Sequence, residues 1–148
     1  MEKQTITVEA FINAPLAAVW EYWTAPQHII NWNQPSGDWR TARVENDPRT
    51  NGRFLFVMEK KDGSAGFDFQ GAYDKVVRHE LMRYTLDDGR TTTNVFAVTG
   101  NGATITETFE PEGQTPLEEQ RRFCAGVLQN FKAYAEAQAG ANPKNVTS

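Results

Sequence analysis

Three Gly-containing dipeptides constrain the fold of this chain more than any other feature: Asp62-Gly63, Asp88-Gly89 and Asn101-Gly102. Each pair favours the positive φ angles of a tight β-hairpin turn. The segments 48–52 and 78–80 supply two further connections. The spacing therefore predicts an antiparallel meander of short strands joined by tight turns. We place these strands at residues 39–46, 53–60, 67–77, 81–86, 92–99 and 103–110.

The N-terminal part of the chain predicts one more strand and two short helices. Residues 4–12 alternate between apolar and polar side chains, which is typical of a half-buried strand. Pro15 ends that strand and is favoured in the first turn of a helix, which we place at residues 15–23. Thr24 is the predicted cap of a second helix, and this helix ends near Trp32.

The C-terminal part of the chain predicts one long amphipathic helix, which begins at a capping box in residues 115–118 and ends at Ala139. A curved sheet of seven antiparallel strands hides its apolar face only by wrapping around this helix. We therefore predict an α+β fold, a single domain over residues 1–139 and a flexible tail over 140–148. The apolar face of the helix comprises Leu117, Cys124, Val127, Leu128, Phe131 and Ala135.

Composition excludes several classes of function. A chain of 148 residues fits one domain, and a net charge of −4 argues against binding to nucleic acid through phosphate contacts. No stretch approaches the roughly 18 apolar residues of a membrane-spanning helix, and the N-terminus has no apolar core of signal-peptide length. We expect a cytoplasmic protein without membrane insertion. Cys124 is the only cysteine, so no internal disulfide forms.

Aromatic side chains recur on one face of consecutive strands, which predicts a cavity between the sheet and the last helix. In residues 53–60 and 67–77 the phenylalanines alternate with other residues, so they share the concave face. Gly71 interrupts this aromatic row where the sheet needs to bend or leave space. Such a wall suits an apolar or aromatic ligand, or else simply fills the core. The candidate lining residues are Trp32, Phe54, Phe56, Met58, Phe67, Phe69, Gly71, Tyr73, Tyr84, Phe96, Val127 and Phe131.

Few polar groups are expected near this cavity. Tyr73, Tyr84 and Asn130 are candidates, and a buried phenol requires a hydrogen-bond partner either in a ligand or in the protein itself. Arg53 alternates with the inward phenylalanines and is expected to point outward to solvent.

The sequence identifies no catalytic residue and no metal site. His28 and His79 lie in a helix and a turn without partners at a metal-binding spacing, so we expect both on the surface. Cys124 lies on an apolar helix face, where a thiol behaves as a small hydrophobe. Asp68 and Glu107 are assigned to the outer faces of their strands and are expected to be solvated. We expect no cofactor.

The order of elements and motifs resembles the helix-grip, or START-like (SRPBCC), superfamily, and more narrowly the bacterial relatives of the activator of heat-shock protein 90 ATPase. The resemblance covers roughly residues 5–137, and it implies a ligand cavity under the last helix with Trp32 near its mouth. The motifs that carry the resemblance are Ala14-Pro15 with Val19-Trp20, Trp32, Gly52-Arg53-Phe54, residues 69–73, residues 80–85, Asp88-Gly89 and residues 104–110.

Three classes of function follow as hypotheses. The leading one is non-covalent binding of an apolar or aromatic small molecule, lipid-like or polyketide-like, in the cavity. The resemblance also implies a chaperone-associated or stress-response module that acts through its surface. A third hypothesis is an enzyme, since some START-like relatives carry out reactions in the same cavity, although no acid-base pair is evident here. An exposed edge strand is a candidate for pairing two copies into a homodimer.

Overall fold

Over the part of the chain that the structure describes, the protein is an α+β domain with a seven-stranded antiparallel sheet, three helices and the strand and helix order predicted from the sequence. The structure, a computed structural model, describes residues 4–34 and 37–141. Within those residues, no helix is long and apolar enough to cross a membrane. The elements are β1 (Ile6–Ile12), α1 (Leu16–Thr24), α2 (Pro26–Trp32), β2 (Trp39–Asn46), β3 (Arg53–Lys60), β4 (Gly66–Val77), β5 (Leu81–Leu86), β6 (Thr91–Thr99), β7 (Gly102–Phe109) and α3 (Leu117–Ala141).

The strands form a single curled sheet in the order β1-β7-β6-β5-β4-β3-β2. Strands β2 to β7 pair with their sequence neighbours, as the meander predicts, and β1 pairs with β7 at the far side. The register of that pair joins Ile6 to Phe109 and Ile12 to Ala103. Strands β1 and β2 are therefore the two edges, and pairing of copies through either edge stays a prediction.

Two of the three predicted turns are confirmed, and the third is shifted. Gly63 and Gly89 have φ angles of 78° and 95°, which an L side chain rarely adopts. In the β6–β7 hairpin, however, the positive φ of 58° falls on Gly100, and Gly102 already belongs to β7. A Cβ at Gly102 would lie 2.2 Å from the carbonyl oxygen of Ile12, so this glycine is needed for close approach of the neighbouring strand.

The predicted cap of α2 is wrong. Thr24 is the last residue of α1, and its hydroxyl donates a hydrogen bond to the carbonyl oxygen of Trp20 at 2.8 Å. Ala25 occupies the cap position of α2, and no side chain caps that helix. The hydroxyl is used within α1 because Thr and Ser side chains readily bond to the carbonyl one turn earlier.

Helix α3 has two different halves. Its C-terminal half seals the core against β1, α1 and α2 with the buried side chains of Leu128, Phe131 and Ala135. Its N-terminal half lies over a gap above the sheet. Leu117 is 41% exposed there, so its predicted place on the buried face is wrong, because the first turn extends beyond the packed core. The helix ends at Ala141, two residues beyond its predicted end, and the predicted tail residues 142–148 lie outside the described residues.

Candidate functional site

A cavity of about 550 Å³ lies between the concave face of the sheet and the N-terminal half of α3. Strands β3, β4 and β5 form its main wall, because α3 leans towards β1 and leaves this side of the sheet uncovered. Cavities of about 300–1,000 Å³ are typical of small-molecule sites. The volume is therefore sufficient for an organic ligand.

Alternation along β3 and β4 places the aromatic side chains on the cavity wall. Phe56 pairs directly with Phe69, and their rings are 5.9 Å apart. The ring of Phe54 lies 5.7 Å from that of Phe69 and 4.9 Å from that of Tyr84 on β5. These spacings are those of edge-to-face and tilted aromatic pairs, so the rings hold one another in place. The wall is aromatic over three adjacent strands.

Nine of the twelve candidate residues line the cavity in the structure. The nine come from α2, β3, β4, β5 and α3, which shows that one cavity brings together residues far apart in the sequence. They are Trp32, Phe54, Phe56, Met58, Phe67, Phe69, Tyr73, Tyr84 and Val127.

The other three candidates, Gly71, Phe96 and Phe131, lie outside the lining. Phe96 is buried against the ring of Trp20, at 5.0 Å, and that of Trp23, at 5.8 Å. Phe131 is fully buried against Trp23 and Trp32, each ring 4.9 Å away. These two phenylalanines fill the core because α1 and α2 cover them, which strand alternation alone does not reveal.

Gly71 serves the backbone rather than the cavity. A Cβ at this position would lie 2.4 Å from the carbonyl oxygen of Thr85 and 3.0 Å from the Cα of Leu86. The register between β4 and β5 shifts just beyond it, between Tyr73 and Lys75. Gly71 therefore permits the close approach and bend of β5, which is one of the two roles expected from the sequence.

Two tryptophans separate the cavity from the core. Trp23 and Trp32 both line the cavity, and their rings stack 4.9 Å apart with an interplanar angle of 26°. The indole nitrogen of Trp32 donates a hydrogen bond to the carbonyl oxygen of Tyr22 at 2.8 Å, which fixes the ring. Trp23 was not among the predicted lining residues, and Phe131 packs behind this pair.

The cavity opens beside two exposed phenylalanines. Phe67 on β4 is 47% exposed and Phe123 on α3 is 50% exposed, yet both line the cavity. The ring of Phe67 also lies 5.4 Å from that of Trp39. Exposed rings that continue into a cavity make an apolar entrance, and Phe123 was absent from the predicted lining because it falls outside the helical apolar face.

Gln120 forms hydrogen bonds to the loop between β7 and α3 at the rim of the cavity. Its Nε2 donates hydrogen bonds to the carbonyl oxygens of Glu112, at 3.0 Å, and Thr115, at 2.7 Å. Its Oε1 accepts one from the backbone N–H of Glu112, also at 3.0 Å. This side chain is buried, so the three hydrogen bonds hold the loop in a fixed position next to the cavity.

Glu107 faces the cavity, and the expectation that it is solvated on the outer face of β7 is wrong. It is two residues from Ile105 and from Phe109, both buried, so strand alternation puts all three on the inner face. Its Oε1 accepts a hydrogen bond of 2.8 Å from Nδ2 of Asn94, the residue paired with it on β6. Burial raises the pKa of the Glu107 carboxyl above its ordinary value.

The other ionisable groups of the inner wall are held neutral. Burial, together with the nearby charge of Glu107, raises the pKa of the Tyr84 phenol well above its ordinary value and that of the Cys124 thiol to about 12. The pKa of Tyr73 is also raised by burial, and its hydroxyl donates a 2.5 Å hydrogen bond to Oδ1 of Asn46. A thiol with so high a pKa is a poor nucleophile at neutral pH.

The remaining polar candidates lie away from the cavity. Arg53 is exposed and forms an ion pair with Asp87 at 3.0 Å, as its outward position predicts. Asn130 is also exposed and donates a hydrogen bond to the carbonyl oxygen of Gln34, so its expected place near the cavity is wrong. Asp68 is exposed, as expected.

The two histidines are half-buried, so their expected surface position is wrong. Nδ1 of His28 lies 2.6 Å from the hydroxyl oxygen of Tyr134. The ring of His79 contacts that of Trp20 edge-on at 5.9 Å. Neither lines the cavity, and the described residues contain no group of three His, Cys, Asp or Glu side chains able to hold a metal ion.

Comparison with known proteins places this geometry in a family. A family model described as "Activator of Hsp90 ATPase homolog 1-like protein" matches residues 13–136. The search of curated proteins found no match.

Solved structures of similar proteins share the fold over nearly the whole chain. The AHSA1-like protein from Aeromonas hydrophila is 38% identical with a TM-score of 0.87, and the match covers 95% of this chain and 96% of that one. A protein from Cytophaga hutchinsonii is 40% identical with a TM-score of 0.80, over 93% of this chain and 96% of that one. A protein from Chromobacterium violaceum, 24% identical over 90% of this chain and 98% of that one, has the same fold with a TM-score of 0.80.

The curled sheet gripping a C-terminal helix, with a cavity between them, is thus the helix-grip architecture that the sequence motifs predict. The family model covers most of the chain, and two solved structures exceed 30% identity across it. The chain belongs to the activator of Hsp90 ATPase homolog 1-like (AHSA1-like) family.

Proposed function

We propose that the protein binds an apolar or aromatic small molecule, lipid-like or polyketide-like, non-covalently in the cavity under α3. The observation that carries this proposal is that the aromatic side chains of β3 and β4 border open space of about 550 Å³ instead of filling it. If Phe54, Phe69 and Phe131 met in the centre, the space would be closed. Phe131 is packed against Trp23 and Trp32, whereas Phe54 and Phe69 line the open space.

The polar groups of the site favour binding over covalent chemistry. The Cys124 thiol has a pKa of about 12, so little thiolate is present at neutral pH. Both histidines lie outside the cavity lining. An aromatic wall on β3, β4 and β5 with polar groups elsewhere in the lining is typical of sites where such groups orient a ligand.

A matched pair of substitutions tests the proposal. Val127 points from α3 into the cavity, whereas Val98 on β6 is exposed and does not line it. Val127→Phe and Val98→Phe make the same chemical change, one inside the cavity and one outside. The probe is N-phenylnaphthylamine, a neutral dye whose fluorescence rises in apolar surroundings.

We expect saturable binding of one dye molecule to the wild-type protein. Val127→Phe is expected to weaken it by about tenfold or more, the equivalent of about 1.4 kcal/mol, while Val98→Phe binds like the wild type. Native mass spectrometry of the purified protein gives an independent measurement, since a retained apolar molecule adds its mass. Equal loss of binding in both variants, or no saturable binding in any of the proteins, would contradict the proposal.

We propose chaperone contact as a second candidate, supported only by membership of a family described by its likeness to an Hsp90 ATPase activator. It predicts that the purified protein changes the ATPase rate of the Hsp90 homologue from the same cell. An unchanged rate at saturating protein would count against it. Both proposals assume a cytoplasmic protein, as the sequence analysis expects.

A further inference from the structure

The carboxyl group of Glu107 lies on the inner wall of the cavity, which is largely aromatic. Among the described residues it accepts a single hydrogen bond, from Nδ2 of Asn94 to Oε1. Asn94 is only 1% exposed and comes from the paired position on β6, so it holds the carboxyl in a fixed orientation. No described residue donates a hydrogen bond to the second oxygen, Oε2, and the residue lines the cavity. The site therefore offers a ligand one directed acceptor.

A carboxyl oxygen beside a largely aromatic cavity gains a hydrogen bond when a ligand donates one to it. Glu107 on β7 lines the same cavity as Tyr84 on β5 and Cys124 on α3, which belong to its two opposing walls. A ligand whose body fills the space between those walls therefore brings its head group to Glu107. The head group must be a donor to satisfy the free oxygen.

The charges that line the cavity favour a cation over an anion. Four carboxyl side chains line it, at Glu107, Glu110, Glu112 and Glu119, against one guanidinium at Arg90. That guanidinium is already paired, with its Nε 2.8 Å from Oδ2 of a neighbouring aspartate. A cavity lined mostly by one sign of charge concentrates ligands of the opposite sign. A carboxylate or phosphate head group would meet repulsion at the wall.

The aromatic wall also favours a positively charged ligand. The rings of Phe54, Phe69 and Tyr84 face the cavity within 6.4 Å of one another. Ring faces attract an ammonium group, most strongly when it is desolvated. An ammonium also has three N–H donors, enough for Glu107 and for a second acceptor such as the hydroxyl of Thr92, which lines the same wall.

We infer that the preferred ligand of the cavity is an amphipathic amine, with an aromatic or aliphatic body between the sheet and α3 and an ammonium group bound to the Glu107 carboxyl. The inference rests on the proposed function, since it assumes that the cavity takes a small molecule at all. It adds the chemical class of the head group and names the residue that selects it.

Three probes with one body and different head groups test the inference: naphthylmethylamine, naphthylmethanol and naphthylacetic acid. Each is measured at neutral pH by displacement of N-phenylnaphthylamine from the wild-type protein. We expect the amine to bind about tenfold more tightly than the alcohol, and the acid to bind most weakly. Because the body is constant, the ratios report on the head group alone.

Glu107→Gln keeps the shape of the side chain and the acceptor for Asn94 while it removes the carboxylate. In this variant the amine is expected to bind within about threefold of the alcohol. Alcohol affinity close to that of the wild type confirms that the variant is folded. The control is Glu118→Gln, which removes the same charge from an exposed position of α3 outside the cavity lining and should keep the preference for the amine.

The outcomes separate the two proposals. If the dye and the alcohol bind but the amine has no advantage, or if Glu107→Gln leaves the amine-to-alcohol ratio unchanged, the head-group inference is wrong and cavity binding stands. If neither the dye nor any of the three probes binds, both proposals are overturned.

Discussion

Phe131 provides the sharpest test of where the core ends and the cavity begins. Its side chain is fully buried, and it meets the rings of Trp23 and Trp32 edge-on at 4.9 Å. Phe131→Ala removes these contacts and leaves an enclosed hole behind α3. The expected cost is about 3–5 kcal/mol in the free energy of unfolding, the range measured for buried phenylalanines.

Phe56→Ala is the matched substitution on the cavity wall. Phe56 is half-buried and borders space that is already open. Its removal enlarges that space but creates no new enclosed hole, so only the transfer part of the cost applies, which is at most about 1.5–3 kcal/mol. The same chemical change should therefore be cheaper at Phe56 than at Phe131.

Urea unfolding followed by far-ultraviolet circular dichroism measures both costs. With a slope of about 2 kcal/mol per molar urea, Phe131→Ala should lower the midpoint by about 1.5–2.5 M. Phe131→Leu is a milder variant in case the alanine protein is unfolded without denaturant. Binding of N-phenylnaphthylamine should change in Phe56→Ala and stay close to wild type in folded Phe131→Leu. A larger loss of stability in Phe56→Ala than in Phe131→Ala would contradict the placement of Phe131 in the packed core and of Phe56 at the cavity.

Two further predictions concern single positions. Gly71→Ala should destabilise the protein by about 1–3 kcal/mol, because its Cβ would lie 2.4 Å from the carbonyl oxygen of Thr85. Gly126→Ala, which has open space around it in α3, should stabilise the protein by up to about 1 kcal/mol. Thermal unfolding of the two variants gives the sign of each change. Cys124, with a pKa of about 12, should react with iodoacetamide at pH 8 far more slowly in the folded protein than in urea, and equal rates would show that the thiol is not buried as described.

The wall of the cavity was predictable from the sequence because strand alternation is a local rule. Phe54, Phe56, Phe67 and Phe69 obey it, and the tight turns fix which strands are neighbours. Seven of the nine predicted residues that line the cavity lie on β3, β4 and β5 and follow from this rule, helical spacing places Val127, and Trp32 was expected from the family resemblance. Local periodicity says which side chains point inward.

The boundary between cavity and core was not predictable in the same way. Phe96 and Phe131 point inward like the lining residues, but α1 and α2 cover them. Whether an inward side chain meets space or another ring depends on where the helices cross the sheet, and no single segment encodes that. The position of Phe123 at the entrance has the same cause, since the N-terminal half of α3 stands away from the sheet.

The wrong prediction for Glu107 is a different kind of error, since the position of this residue does follow from alternation with Ile105 and Phe109. Glu107 was placed on the outer face of its strand, although it is two positions from Phe109 and residues two apart share a face. Here the open cavity and Asn94 make burial tolerable. A charged residue that alternation places on the buried face of a strand therefore indicates a candidate functional site.

The pH dependence of stability distinguishes the two placements of Glu107. Its pKa is raised by burial, so between its ordinary value of 4.5 and the raised value the folded protein holds a proton that the unfolded chain has lost. In that window the folded state binds more protons than the unfolded state, so the free energy of unfolding falls as pH rises. A solvated Glu107 would contribute no such slope.

The difference in unfolding free energy between Glu107→Gln and wild type isolates this slope. Glutamine does not titrate, so the difference in favour of the variant should grow from about pH 4.5 upward and level off above the raised pKa. Asp88 and Glu136 have lowered pKa values, so their contributions to the free energy of unfolding decrease as pH falls. These contributions are the same in both proteins and cancel in the difference. Tyr84 and Cys124 stay neutral throughout, because both pKa values are raised far above this range. Urea unfolding from pH 4 to pH 8 measures the difference. A difference that stays flat or falls with pH would indicate that Glu107 is solvated, and the amine preference would then lose the acceptor on which it depends.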